Sequence, residues 1–301
     1  MFQRLFARSG LSLDRLRSFL EVAEAGAIAR AAPSDPVRQS QLSRQISELE
    51  EFFGTALVER RGRGLALTAA GSHLAVVIRE SLQGLSDVAT VEESMLGVAL
   101  GTGDHLLHAH VIPHAHRLPP VVTLTLASMQ GRETVSRLLD ARLDLGIVRT
   151  EELPTGLRTR SLGTIRYALY VPRVVRPKPK TLPLTELLAR VPIAAQYGDA
   201  ELARELDQVM QRAGATPALV CETLPQAQRA VATKRFAAVL PTLARSELPA
   251  RDFDEIPVFA KSAMNVVLAW HPRLERQRPA VFALVPQFVE AWTLPHRDER
   301  P

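Results

Sequence analysis

Along the first third of the chain, apolar positions recur at helical spacing. Leu13, Leu16, Phe19, Leu20 and Ala23 fall at intervals of three and four, and Gly26 closes that segment. A short helix is expected from about Ala27 to Ala32, and Pro33 and Pro36 bracket Ser34-Asp35 as a turn. Leu42, Ile46, Leu49 and Phe53 then form one stripe on a helix that Gly54 ends. Opposite the stripe stand Gln41, Arg44, Gln45 and Glu48, and taken alone they read as a solvated face. Leu57 to Thr68 reads as a two-stranded ribbon with glycines and arginines at its tip. Thr68 is placed to cap a long helix from about Ala69 to Met95. Leu74, Val77, Ile78, Leu82, Leu85, Val88 and Val91 line its apolar face, which favours pairing with the same helix of a second copy over packing on its own domain.

After Met95 the pattern alternates between strand and helix. Strands are expected at Leu96–Leu100, Val121–Ala127 and Leu143–Val148, with a helix over Arg132–Ala141. Leu162 to Val171 alternates as one strand, and Pro172 to Pro183 reads as a crossing between subdomains. Helices follow at Leu184–Arg190, Ala200–Ala213 and Pro225–Thr233, with strands at Leu219–Glu222 and Phe236–Leu240. A late strand, Val266–Trp270, precedes a final helix over Ala280–Trp292. Such alternation implies mostly parallel sheets with ligands bound at strand carboxyl ends. The fold class expected is therefore α/β overall, with an all-α N-terminal part.

Composition sharpens this little. A chain of 301 residues is long enough for two domains, and 23% charged residues is ordinary for a globular protein. The net charge of +5 permits nucleic acid as a partner without requiring it. The single cysteine, Cys221, rules out an intrachain disulfide and reads as core packing in a strand. Residues 1–10 carry Arg4 and Arg8 but no signal-like apolar run, and no stretch is apolar enough to span a membrane, so the cytoplasm is expected. No nucleophile motif, dinucleotide fingerprint or phosphate loop is present, and Gly101-x-Gly103 alone is too short to count, so no catalytic residue is assigned.

Residues 13–71 resemble the N-terminal domain of LysR-type transcriptional regulators. The matching stretches are Leu16 to Gly26, Arg30-Ala31-Ala32, Leu42 to Glu50, Leu57 to Arg60, and Leu67 to Gly71. Val135 to Leu139, Leu143 to Arg149, Leu162 to Pro172 and Ala230 to Pro241 are similar to that family's sensing domain. The resemblance implies a winged helix-turn-helix over 11–71, a dimerising linker helix over 72–95, and an effector-binding domain over 96–301. That domain would comprise subdomain I (about 96–165 and 262–301) and subdomain II (about 166–261). It further implies double-stranded DNA and a small-molecule effector as partners, homodimers and commonly homotetramers, RNA polymerase as a further contact, and no cofactor. The chain departs from the family at Pro33-Ser34-Asp35-Pro36, at Arg38-Gln39-Ser40-Gln41 and at Lys234 to Ala237. Ser40 is an alternative cap for the recognition helix.

Gln39, Ser40, Gln41 and Gln45 are the candidates for base edges, because an amide can pair bidentately with adenine. Arg30, Ser43 and Arg44 suit phosphate, and Arg60, Arg61 and Arg63 suit phosphate or the minor groove. For the effector, Thr102, Gly103, Ser128, Arg149, Gln196, Tyr197 and Thr223 fall at predicted strand ends and suit a polar or anionic ligand.

His105, His108, His110, His114 and His116 cluster in one segment, which leaves a metal-responsive regulator as an alternative, although Pro113 interrupts it and no cysteine lies nearby. An enzyme or a small-molecule carrier with a degenerate DNA-binding domain is the remaining alternative. The carrier reading leaves the first 95 residues unexplained.

Overall fold

A computed structural model describes residues 9–62, 64–89, 95–179, 181–196 and 201–294. The chain divides into two compact units, residues 1–94 with 140–142 and residues 95–139 with 143–301.

In the first unit, α1 (Leu13–Ala25) is capped by Ser12, α2 (Ile28–Ala31) is a single turn, and α3 (Pro36–Phe53) is the longest of the three. A hairpin of β1 (Val58–Arg61) and β2 (Gly64–Leu67) follows, then α4 (Ala69–Ala89). Phe19 and Val22 of α1 meet Leu42, Ile46 and Leu49 of α3, with Leu57, Ala75 and Ile78 completing the core. The hairpin turns at Gly62, whose φ of 60° suits glycine. Thr68 caps α4 as its position predicts, accepting from the Gly71 N–H at 3.0 Å. At Gly71 the helix passes so close to the chain before β1 that a Cβ there would stand 1.9 Å from the Leu57 carbonyl oxygen.

The apolar stripe of α4 is divided. Ala75 and Ile78 are buried in the unit's own core, Leu74 and Leu82 pack against it, and Val77 and Leu85 stay exposed. The expected continuation through Val91 lies outside the described residues, as does any statement about the Val88 side chain.

The second unit holds two subdomains. In the first, β3 (Leu96–Thr102) leads into α5 (Asp104–Leu106), a π-helical turn (Leu107–Val111) and α6 (Ile112–His114). Next come β4 (Val122–Ser128), α7 (Gly131–Leu139), β5 (Leu145–Arg149) and β6 (Arg158–Ile165). The second subdomain is built from β7 (Tyr167–Pro172), α8 (Leu184–Arg190), β8 (Ala194–Gln196), α9 (Glu201–Arg212), β9 (Leu219–Cys221), α10 (Leu224–Ala232), β10 (Ala238–Pro241) and β11 (Phe253–Val258). The chain then returns through β12 (Met264–Trp270) and ends in α11 (Arg273–Gln277), α12 (Pro279–Phe282) and α13 (Val285–Trp292).

The five-stranded sheet has the order β4-β3-β5-β12-β6, and the second subdomain pairs β10-β7-β11 and β8-β9. A bridge from Ile193 to Ala237 joins those two pieces.

Several expectations are corrected. The run Leu162 to Val171 is two strands in two different sheets, divided at Arg166. The crossing therefore lies at Arg166, and Pro172 to Pro183 connects β7 to α8 inside one subdomain. The final helix, expected over Ala280–Trp292, is broken into two, α12 and α13, with prolines 279 and 286 in their first turns, and α11 precedes them as an addition. Strands β8 and β11 and the helical segment from Asp104 are additions.

Candidate nucleic-acid interface and ligand clefts

The recognition helix α3 starts earlier than Ser40. Asp35 accepts from the Arg38 N–H at 2.9 Å, Pro36 occupies the first turn, and Ser34 turns the chain with φ 62°. Ser40 therefore sits inside the helix, exposed. On the wheel, Val37, Ser40 and Arg44 form a ridge opposite the buried stripe, with Gln41 and Ser43 on its flanks, and all five are exposed. Val37, at 80% exposure, escaped the sequence reading. Its signal is a β-branched apolar residue on the solvent side of a first turn.

The four amides and hydroxyls proposed for base edges do not all face outward. Gln39 donates from Nε2 to the Ala32 carbonyl at 2.8 Å, so this donor holds the turn after α2 and is not free for a base. Gln45 is half-buried, and its Oε1 has no hydrogen-bond partner among the described residues. Gln41 is outward, its Oε1 accepting from Arg38 Nη1 at 3.2 Å. Arg38 in turn reaches Glu21 at 2.7 Å, and Arg15 reaches Glu48 at 2.7 Å, so two ion pairs fix α3 against α1. Arg30 donates to the Ala25 carbonyl at 2.6 Å, closing the end of α1. Arg60 and Arg61 are exposed on the hairpin, while Arg63 lies outside the described residues.

In the second unit, β6 passes into β7 and β11 returns to β12, and the helix that follows β3 packs across the join on the helix that follows β9, His105 meeting Gln228 there. Gly103, Ser128 and Arg149 stand at or just past the carboxyl ends of β3, β4 and β5, and Gln196 and Thr223 at or just past those of β8 and β9; Tyr197 lies outside the described residues. Thr102 is fully buried and donates to the Ile147 carbonyl at 3.0 Å, so its hydroxyl ties β3 to β5 in place of a ligand. Thr223 caps α10 through Gln226 N, and Gln196 donates to the Glu222 carbonyl at 3.4 Å. Two carboxylates alter the charge expected here. Ser128 donates to Asp104 Oδ1 at 3.2 Å, and Glu152 lies over Gly131 at the start of α7, where a Cβ would stand 1.6 Å from Oε2. The wall thus offers acceptors as well as donors.

The five histidines take separate partners. His105 is buried against Gln228 of the other subdomain at 2.9 Å, and burial pushes its pKa down. His108 approaches Asp104 at 3.3 Å, His114 meets the His110 carbonyl and His116 the Pro113 carbonyl. Among the described residues no group of three or more metal-ligating side chains converges.

His110 donates from Nε2 to the Trp292 carbonyl at 2.9 Å, and burial, opposed by that bond, holds its pKa down at about 4. Because the folded value lies below the ordinary 6.5, its contribution is complete above that pH and is lost as pH falls toward about 4. Between about pH 8 and about pH 5 the second unit is expected to lose about 2 kcal/mol from this group. Urea denaturation at the two pH values tests this: His110→Gln keeps an N–H donor and should flatten the dependence by that amount. An unchanged slope would remove His110 from the account.

Residues 13–72 match the family model described as bacterial regulatory helix-turn-helix protein, lysR family, and residues 96–293 match the LysR substrate binding domain. A regulator of Escherichia coli K12, YnfL, is 31% identical over 156 residues, which cover 49% of this chain and 52% of that one. The chain thus spans about half the length of that curated relative. Full-length OxyR from Pseudomonas aeruginosa superposes with a TM-score of 0.62 at 20% identity, covering 97% of this chain and 99% of that one. Full-length CbnR complexed with its target DNA gives 0.55 at 22% identity, over 94% and 99%. At these identities the structures speak for the fold.

Proposed function

The chain belongs to the LysR family of bacterial regulatory helix-turn-helix proteins, and from that premise we propose that it is a sequence-specific, effector-responsive DNA-binding regulator. The observation that carries this reading is the exposed ridge of a capped helix, Val37, Ser40 and Arg44 with Gln41 and Ser43 beside it, next to a hairpin bearing Arg60 and Arg61. Gln41 suits an adenine edge, Val37 a thymine methyl, and the arginines phosphate. Gln39 instead holds the turn before the helix, through the Ala32 carbonyl.

The effector site is the cleft at the carboxyl ends of β3, β4 and β5. With Arg149 and Ser128 as donors and Asp104 and Glu152 as acceptors, it favours a polar effector carrying both kinds of group. Binding there acts only through a difference in affinity between two arrangements of the subdomains. Val77 and Leu85, exposed at 41% and 56%, support pairing of α4 with that of a second copy. A tetramer, contact with RNA polymerase and action in the cytoplasm belong to the same reading. Among the described residues no helix is long and apolar enough to cross a membrane.

The test is binding to DNA flanking the protein's own gene across a salt series. Saturable, site-specific binding that weakens steeply with salt is expected. Gln41→Ala with Arg44→Ala should weaken specific binding by about tenfold to a hundredfold. Arg60→Ala should reduce the salt slope by about one while leaving the preferred sequence unchanged. Weak binding indifferent to sequence would sink the reading.

A further inference from the structure

A second cleft, of 1010 Å³, opens in the second unit away from the effector cleft. None of the residues assigned to the effector line it. The π-helical turn 107–111, packed on the 3-10 turn Thr242–Ser246, stands on this side of the join. Both connections between the subdomains contribute to its lining. Arg166 stands between β6 and β7, and Phe259 between β11 and β12. Phe259 holds φ 51° there, a left-handed conformation that a bulky residue rarely adopts.

The lining combines charge with an apolar wall. Arg245 is closed by Glu255, with Nη2 to Oε1 at 2.6 Å. Arg117 and Arg166 are exposed, and their side chains make no hydrogen bond or ion pair with any described residue. Glu290 also borders the cleft, so apart from the histidines the lining carries one net positive charge. Leu243, Val258, Phe259 and Leu294 supply apolar surface, and Thr242 borders the same space. A volume at the upper end of the range for small-molecule sites, two open guanidinium groups and an aromatic wall together describe a ligand pocket.

We propose that this cleft is a second ligand site, separate from the effector cleft, that takes a monoanion with an apolar body, such as an aromatic carboxylate. The carboxylate is held by Arg117 and Arg166, and the ring lies against Phe259 and Leu243. Since Arg117 comes from one subdomain and Arg166 from the connection to the other, an occupant bridges the hinge. It therefore biases the angle that the effector cleft also senses.

The experiment is calorimetric titration of the full chain with 1-naphthoate and, in parallel, its neutral amide. Binding of the acid with a Kd of about 1 mM or tighter is expected, with the amide weaker by at least about tenfold. Arg117→Gln with Arg166→Gln should weaken the acid by at least about tenfold while leaving the thermal transition unchanged, because neither side chain has a partner to lose. Absence of binding at millimolar acid overturns the proposal, and so does equal affinity for the amide. A loss of binding in Arg149→Gln, with the double variant behaving as wild type, places the ligand in the effector cleft and overturns it as well.

Discussion

Replacing Gly71 with alanine is expected to destabilise the first unit by about 3 kcal/mol or more, although alanine is the better helix former. The new Cβ would stand 1.9 Å from the Leu57 carbonyl oxygen and 2.9 Å from its carbon. Both are backbone atoms, so no side-chain rotation relieves the overlap. Either the first turn of α4 moves or the entry to β1 does, and Thr68, which bonds to both segments, loses one of its contacts. Gly84 in the same helix supplies the control, since a Cβ there meets nothing within 4 Å. Gly84→Ala should stabilise by about 0.5–1 kcal/mol. Thermal melts of both variants give opposite signs if the packing is as described. Two stabilising substitutions would mean that α4 does not lie against residue 57.

The second large effect is expected at Asp144. Its Oδ1 accepts from Arg278 Nη1 at 2.7 Å and its Oδ2 from the Ala99 N–H at 2.8 Å, while Arg278 Nη2 donates to the Gly97 carbonyl at 2.7 Å. Arg278 is 5% exposed. Asp144→Ala takes the carboxylate from a buried guanidinium and an acceptor from a strand N–H, at a cost of about 3 kcal/mol or more. Asp144→Asn keeps an acceptor for Ala99 and should cost less. Adding Arg278→Met to Asp144→Ala should recover part of the loss, because the charge left behind accounts for much of it. Denaturant midpoints for these variants and for Arg278→Met alone check this. A double variant as unstable as the sum of its parts would show that the pair is not coupled.

Gly71 and Asp144 share an instructive property. Both lie in the stretches that carry the family resemblance, and both act in packing and hydrogen bonding. So does Glu50, whose Oε1 accepts from Leu57 N at 2.8 Å. Positions with one workable solution leave a readable pattern, which is why helices α1, α3 and α4 and most strands were legible. Strand β11 was not, because Phe253-Asp254-Glu255-Ile256-Pro257-Val258 carries charge and a proline, which an edge strand tolerates. Asp254 there is paired with Arg173 at 3.1 Å.

The interface was harder to read for a different reason. Whether an amide faces outward is settled by neighbours distant in sequence. Gln39 and Gln41 look equivalent along the chain, yet the carbonyl of Ala32 claims one and leaves the other outside. The helix start was ambiguous because Asp35 and Ser40 are both competent caps. Proline at position 36 favours the earlier one, since it fits a first turn and has no N–H to satisfy.

Phe259 carries a consequence for the switch itself. A bulky residue held at φ 51° and ψ 50° stores about 1–3 kcal/mol of conformational energy, and it sits in the connection through which the chain returns from the second subdomain to the first. This arrangement thus carries strain at that connection. Any movement of the subdomains that returns this residue to an ordinary torsion recovers that energy, so an effector favouring such a movement would have less work to supply. Phe259→Gly would relax that connection and stabilise this arrangement by about 1–3 kcal/mol, so that more effector would be needed for the same output.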